Sequence, residues 1–229
     1  ENPPKRPTWM VAFDQEEWGL LGSKALSKEL KAKGQKLKLM VSLEMLAYTS
    51  AKQDYPLPAM KKLYGEKGDF IALVANTGCA LMLPSLSSNM GKYIPTKVLP
   101  VPLKGDVLPD VRLSDHSPFW DEGYNAMMIT DTSFLRNPHY HEPTDTIETL
   151  DLEFFYKVVT GLVKSLEKIT DKKEGVLSEE GCKTVPNSSC FWVVDPLDGT
   201  TNFAAGIPYW GISIARFQNG QPETAFLDI

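Results

Sequence analysis

Apolar and polar positions come in blocks along this chain, and the period changes from block to block. Thr8-Trp9-Met10-Val11-Ala12-Phe13 is an apolar run rich in bulky residues and predicts a buried strand. From Trp18 to Lys33 the period is helical. Leu20, Leu21, Ala25, Leu26 and Leu30 share one face, lysines fill the other, and Gly34 marks the stop. Leu37 to Met45 predicts a second strand, so that strand, helix and strand make a right-handed βαβ unit with its strands parallel. Residues 50–68 are polar, include Tyr55-Pro56-Leu57-Pro58, and predict a surface excursion. Asp69 to Asn76 is another buried strand, and Gly78 opens a helix running through Leu81 to Met90. Lys97 to Pro102 is extended, but its prolines suit an edge or a loop. Ser114 caps a short helix through Trp120, Gly123 ends it, and Tyr124 to Asp131 follows as a strand. Asp151 caps a long helix to about Ile169, with Leu152, Phe155, Val158, Val159, Leu162, Leu166 and Ile169 as its buried stripe.

The charged stretch Thr170 to Gly175 breaks that period and predicts a boundary. Residues 1–170 therefore read as one α/β domain, a mainly parallel sheet flanked by helices, and residues 174–229 as a small C-terminal α+β fragment. In that fragment Gly206 to Phe217 and Thr224 to Leu227 predict strands.

Composition narrows the classes. The chain has 229 residues, 42% hydrophobic and 23% charged, an ordinary globular balance for one large or two small domains. Its net charge is −5 and no basic stripe occurs, which argues against nucleic acid and anionic membranes as partners. The three cysteines, Cys79, Cys182 and Cys190, are odd in number and lack metal-ligand spacing, so they predict reduced structural thiols. No apolar run approaches the roughly 18 residues of a membrane span. The lead-in Glu1 to Pro7 is polar and unlike a signal peptide, so a soluble protein of open compartment is expected.

Four places carry candidate chemistry. Glu16 and Glu17 stand side by side where a strand ends and a helix begins, at the carboxyl edge where open α/β sheets bind ligands. Taken alone, the pair is also what a helix N-terminus favours. Glu44 ends the second predicted strand near the same edge, where a solvent-facing Glu is the plain alternative. Asp115 and His116 begin the short helix, and a capping box with a satisfied histidine would account for both. His139 and His141 sit in a loop that ends in Thr144-Asp145-Thr146, where histidines can be ordinary surface residues.

Phe13-Asp14-Gln15-Glu16-Glu17-Trp18-Gly19-Leu20-Leu21-Gly22-Ser23 resembles the F-x-x-E-E-W-G-L-x-G-S segment of the M28 family of zinc aminopeptidases. The resemblance implies Glu16 as general base and Glu17 as metal ligand. Adjacent residues at a turn can point one carboxylate at a metal and leave the other free for the attacking water. Ser42-Leu43-Glu44-Met45-Leu46-Ala47-Tyr48 is similar to the family's segment with a further metal-binding carboxylate, more often Asp, followed by Gly where Ala47 stands. Ser114-Asp115-His116-Ser117-Pro118-Phe119 resembles a recurrent element near the metals, which implies that Asp115 holds a ligand or the substrate. The family ends its metal site with a His ahead of a T-D-T triplet, the place of His141, and leaves His139 to shape the substrate pocket. Residues 5–170 carry this resemblance. It implies a phosphorylase/peptidase-like fold, a zinc cofactor and a peptide substrate hydrolysed by metal-activated water.

The later segment resembles a different family. Phe191-Trp192-Val193-Val194-Asp195-Pro196-Leu197-Asp198-Gly199-Thr200-Thr201-Asn202-Phe203, with Glu179 upstream, is similar to the inositol monophosphatases. Glu179, Asp195 and Asp198 are thereby implied as magnesium ligands and Thr200 as the residue that orients water, with a phosphomonoester as substrate. Hard carboxylate oxygens suit Mg²⁺, although a D-x-x-D-G turn between strands is the plainer alternative.

Both resemblances are partial. The peptidase family carries an earlier His and a bridging Asp on strands ahead of the Glu-Glu segment. Here the histidines are His116, His139 and His141, and a proline-rich lead-in precedes Thr8. An N-terminally truncated peptidase joined to the middle of a phosphatase is therefore expected, whether by natural fusion, engineering or a truncated gene reading. The first site should bind zinc weakly and show little activity, and a catalytically silent scaffold is the remaining alternative.

Overall fold

The computed structural model describes residues 9–170, 175–178, 190–198, 211–218 and 221–228. It divides into two compact units, one spanning Phe13–Gly161 and the other holding Glu1–Ala12 with Leu162–Ile229.

The first unit is built on a four-stranded sheet of β1 (Met40–Glu44), β2 (Ile71–Asn76), β3 (Thr96–Val101) and β4 (Ala126–Thr130), in the order β1-β4-β2-β3. β1 runs parallel to β4 and β2 parallel to β3, while β2 and β4 are antiparallel. The two central strands are the two continuous apolar runs: the first five residues of β2 and all of β4 are buried, as strands covered on both faces require. Among the described residues β3 pairs only with β2, and this edge position tolerates Pro100, which has no N–H for a ladder.

Alternation along the strands splits the core. Ala72, Val74, Ala126 and Met128 pack with Leu30 of α1 (Leu21–Ala32) and with Phe119 and Trp120 of α4 (His116–Asp121). Ile71, Leu73, Met127 and Ile129, on the alternate face, are fully buried. There α3 (Leu83–Met90) lies against β2 and β3, and α5 (Leu152–Thr170) approaches α3 where Gly161 meets Met90.

Several expectations are corrected. Trp9 to Phe13 form no strand, so the first βαβ unit is absent, and Trp9 and Val11 are 57% and 45% exposed. An apolar run becomes a strand only where a neighbouring edge takes its backbone groups, and none of the four strands pairs with it. α1 buries Ser23, Ser27 and Leu30, while Leu21 is exposed. Each serine hydroxyl bonds back to a carbonyl of its own helix, to Leu20 and Lys24, which makes a small polar residue compatible with burial. The excursion at 50–68 contains a short helix, α2 (Pro58–Tyr64). In the stripe of α5, Phe154 takes the buried place expected of Leu152, which lies exposed in the first turn; Ile169 lies outside the side chains described.

The C-terminal strands are β5 (Gly175–Ser178), β6 (Cys190–Asp198), β7 (Gly211–Gln218) and β8 (Gln221–Asp228), in that order in one sheet. β5 is parallel to β6, and the other neighbours are antiparallel. Among the described residues, no helix is long and apolar enough to cross a membrane.

Candidate active site

β1 and β4 are parallel, so Glu44 and Thr130 leave the sheet at the same edge, paired in register. Here the chain adopts left-handed backbone at Gln15 (φ 52°), Met45 (φ 47°) and His141 (φ 58°). Such non-glycine positions cost energy and gather at functional sites. Each lies at or beside a residue that the sequence singles out: Gln15 precedes Glu16, Met45 follows Glu44, and His141 is itself a candidate ligand.

The Glu16-Glu17 turn is closed by the N–H groups of Gly19 and Leu20, which donate to the Glu16 carbonyl. Gly22 is required sterically, because a Cβ there would stand 2.7 Å from Asp14 Oδ1 and 2.9 Å from its carbonyl oxygen. This packing sets the entry of α1 and with it the direction of both glutamates.

Glu17 and His141, 124 residues apart in sequence, meet: His141 Nε2 lies 3.0 Å from Glu17 Oε1. Their side chains are 67% and 56% exposed, so as an ion pair the contact adds little stability. Glu16 lies behind them, half-buried. Burial first, then the charges of Glu44, Asp115 and Glu17, push its carboxyl up to about 7, against the pull of His141. Burial also raises Glu44; a hydrogen bond from Ser114 opposes this, and Asp115, Glu17 and Asp131 add to it. Asp115 is raised by burial, with the nearby Ser23 hydroxyl opposing the shift, and its Oδ1 is buried without a partner.

The Ser114 hydroxyl does not cap α4. It lies 2.7 Å from the Ser42 hydroxyl and serves Glu44. His116 is turned into the core, with Nε2 2.8 Å from the Val111 carbonyl and its ring edge on Trp120. His139 pairs with Thr144 and packs on Tyr48. Two buried groups had no sequence signal. The Asp131 carboxylate, at the exit of β4, accepts the N–H groups of Tyr48 and Ser133. Arg136 ties Gln53 to the carbonyls of Tyr48 and Phe70. A cavity of about 850 Å³, open mouth included, runs inward from Glu44 and Tyr140 over Phe70, Val98, Leu99 and Met128.

Among the described residues, no three His, Cys, Asp or Glu side chains stand close enough to hold a metal ion. Two do. Two zinc ligands about 2.05 Å from the metal at a tetrahedral angle are separated by roughly 3.3 Å, near the 3.0 Å between His141 and Glu17. A cation there would take the place of the shared proton. It would also relieve the repulsion that raises Glu16 and Glu44. The Glu17–His141 pair is thus spaced as two ligands of one cation would be, while a third donor among the described residues stands too far away.

Glu179 and Thr200 lie outside the described residues. Asp195 and Asp198 are on β6, paired with Ser213 and Gly211 across a register shift.

The fold and this edge define a class: an α/β protein whose sheet presents a half-buried glutamate beside a carboxylate–imidazole pair. Residues 1–164 match Peptidase family M28, and the chain belongs to that family. Residues 141–228 also match the Inositol monophosphatase family. Protein YfbL of Escherichia coli (strain K12) is 33% identical over 168 residues, 71% of this chain and 52% of that protein. Nus factor SuhB of Xylella fastidiosa is 45% identical over 53 residues, 23% of this chain and 19% of that protein. The LapA aminopeptidase of Legionella pneumophila superposes with a TM-score of 0.53 at 19% identity, over 75% of this chain and 42% of that one, a likeness of fold. This chain thus spans about half the length of YfbL.

Proposed function

We propose that residues 13–161 form part of a zinc-dependent aminopeptidase site acting on peptides. The observation that carries this is the Glu17–His141 contact at the sheet edge, beside a half-buried Glu16. Glu17 and His141 would hold zinc, with Glu44 as a further ligand and Asp115 holding a neighbouring group. When bound, zinc would polarise the substrate carbonyl and make water a better nucleophile. Glu16 takes the proton from the attacking water at its carboxylate and returns it to the leaving amine, work suited to a carboxyl raised toward neutral pH. The apolar cavity beside Glu44 receives a substrate side chain and excludes water. A family match over most of the chain, the fold of an aminopeptidase and the order of the motifs support this reading.

The test is metal binding by the purified full chain, stripped and then titrated with zinc. Weak but stoichiometric binding that is lost in both Glu17→Gln and His141→Ala is expected. A wild-type chain that takes up no zinc overturns the proposal and favours a silent scaffold. A second reading, a magnesium-dependent phosphomonoesterase using Glu179, Asp195, Asp198 and Thr200, is favoured by the match over residues 141–228. It ranks lower because the segment spans only 19% of SuhB. Magnesium-dependent release of phosphate that vanishes in Asp195→Asn would raise it.

A further inference from the structure

His141 is an exposed imidazole on a loop, in a backbone conformation that a non-glycine residue adopts at a cost. Burial does not fix its ring. Two contacts do: the Glu17 carboxylate on its edge, and the ring of Tyr140 on its face. The Tyr140 and His141 rings are stacked, with centroids 3.9 Å apart and planes 16° from parallel. Side chains of adjacent residues in extended chain point to opposite sides. The left-handed turn at His141 instead folds one ring over the other.

Tyr140 is itself held. Its ring packs on Phe134 at 5.8 Å, and it lines the cavity that Glu44 also lines. A ring with these supports restricts rotation of the imidazole stacked on it. Metal ligands need such outer support, because a ligand free to rotate must be ordered again on each binding event.

We propose that Tyr140 is a positioning residue: its aromatic face fixes the plane of His141 so that Nε2 points to Glu17. The stack needs the ring and not the hydroxyl. The inference rests on the zinc reading for the role of His141, but the stack exists without metal, which gives it a test of its own.

The full chain and its Tyr140→Phe and Tyr140→Leu variants would be compared by competition for zinc against a chromophoric chelator. The His141 imidazole protons would be followed by NMR in the metal-free state. Tyr140→Phe should keep the wild-type zinc affinity and the upfield shift that an aromatic face imposes. Tyr140→Leu should lose about tenfold in affinity, as outer-shell partners of metal ligands do, and its imidazole signals should move downfield at an unchanged melting temperature. If Tyr140→Leu does not fold, Tyr140→Met carries the same comparison. Equal zinc affinity in the phenylalanine and aliphatic variants, or unmoved imidazole signals, overturns the inference while leaving the zinc site standing. A wild type that binds no zinc but shows the upfield signals sinks the metal reading and confines Tyr140 to ordering the loop.

Discussion

The two sheets of this molecule carry the same kind of chemistry-bearing residue and deliver it differently. In the first, Glu16, Glu17, Glu44, Asp115 and His141 come from four separate stretches of chain. They act on one another because parallel β1 and β4 end at one edge. In the second, Asp195 and Asp198 sit three residues apart on one strand of a largely antiparallel ladder. The difference teaches that a motif becomes a site through its distant partners. Glu17 without His141 is a surface carboxylate; Asp195 and Asp198 are described only within their own ladder, because Glu179 and Thr200 lie outside the described residues. In the peptidase-like region one such distant pair, Glu17 with His141, is in contact, and its prediction is therefore the sharper.

The largest expected effect breaks the comparison outright if it fails. Glu16→Gln leaves Glu17 and His141 in place, so the chain should still take up zinc, more weakly by the one neighbouring charge it has lost. Whatever rate of aminoacyl-anilide hydrolysis the chain shows at saturating zinc should fall by about 10²- to 10⁴-fold, the usual worth of a general base. Asp195→Asn should leave that rate alone. Equal losses in the two variants would mean that the regions do not divide the chemistry as their geometry implies.

How much of this was legible depended on the range of the interaction. The Glu-Glu turn, Glu44 at its strand end, the edge character of β3 and the Asp151 cap all follow from local pattern, and the structure has them. Reading apolar positions as buried failed at α1, where Ser23 and Ser27 face the core and Leu21 does not. Side-chain size carries no record of hydroxyls satisfied within their own helix. It failed again at Trp9 to Phe13, where strand formation depends on a partner edge and not on the run itself. The Asp131 and Arg136 locks were invisible because, Ser133 apart, their partners lie 66 to 88 residues away and are mostly backbone groups, which leave no mark on the sequence. Ser114 was misread for a related reason: a Ser ahead of a helix signals a cap, yet here its hydroxyl is taken by Ser42 and Glu44.

The next effect separates the response of the core from that of the site. His116 is fully buried. Burial, opposed by the Val111 carbonyl and assisted by the charge of Arg112, pushes its pKa down to about 4. An unfolded histidine titrates near 6.5. Between those values the unfolded chain binds a proton that the folded chain refuses, so stability is full above about 6.5 and is lost as pH falls toward 4. The loss amounts to roughly 3 kcal/mol. The raised glutamates pull the other way over an overlapping range, so the measurement is the difference in urea stability between wild type and His116→Phe at each pH. That difference should shrink or reverse on acidification, and a flat difference would mean that His116 is solvated.

The smallest effect concerns how the site loop is anchored. The Asp151 Oδ1 accepts the Phe154 N–H at 2.8 Å, its Oδ2 accepts the Thr49 hydroxyl at 3.1 Å, and its own N–H donates to the Ala47 carbonyl. One residue thus caps α5 and fastens the segment that follows Glu44 and Met45. Loss of an N-cap costs about 1 kcal/mol, so Asp151→Ala should lower stability by about that much, while Asp151→Ser, which keeps the cap oxygen, should recover most of it. Hydrogen exchange distinguishes the two duties. If the cap alone matters, faster exchange is confined to the first turn of α5 and both variants separate cleanly. If the Thr49 bond also holds the site, the Tyr48 amide, which donates to Asp131, exchanges faster in both variants, because the serine is too short to replace the second oxygen. The second outcome is expected, since the aspartate serves both partners at once. It would show that the loops of the peptidase-like region are pinned from outside the cluster of acids they present.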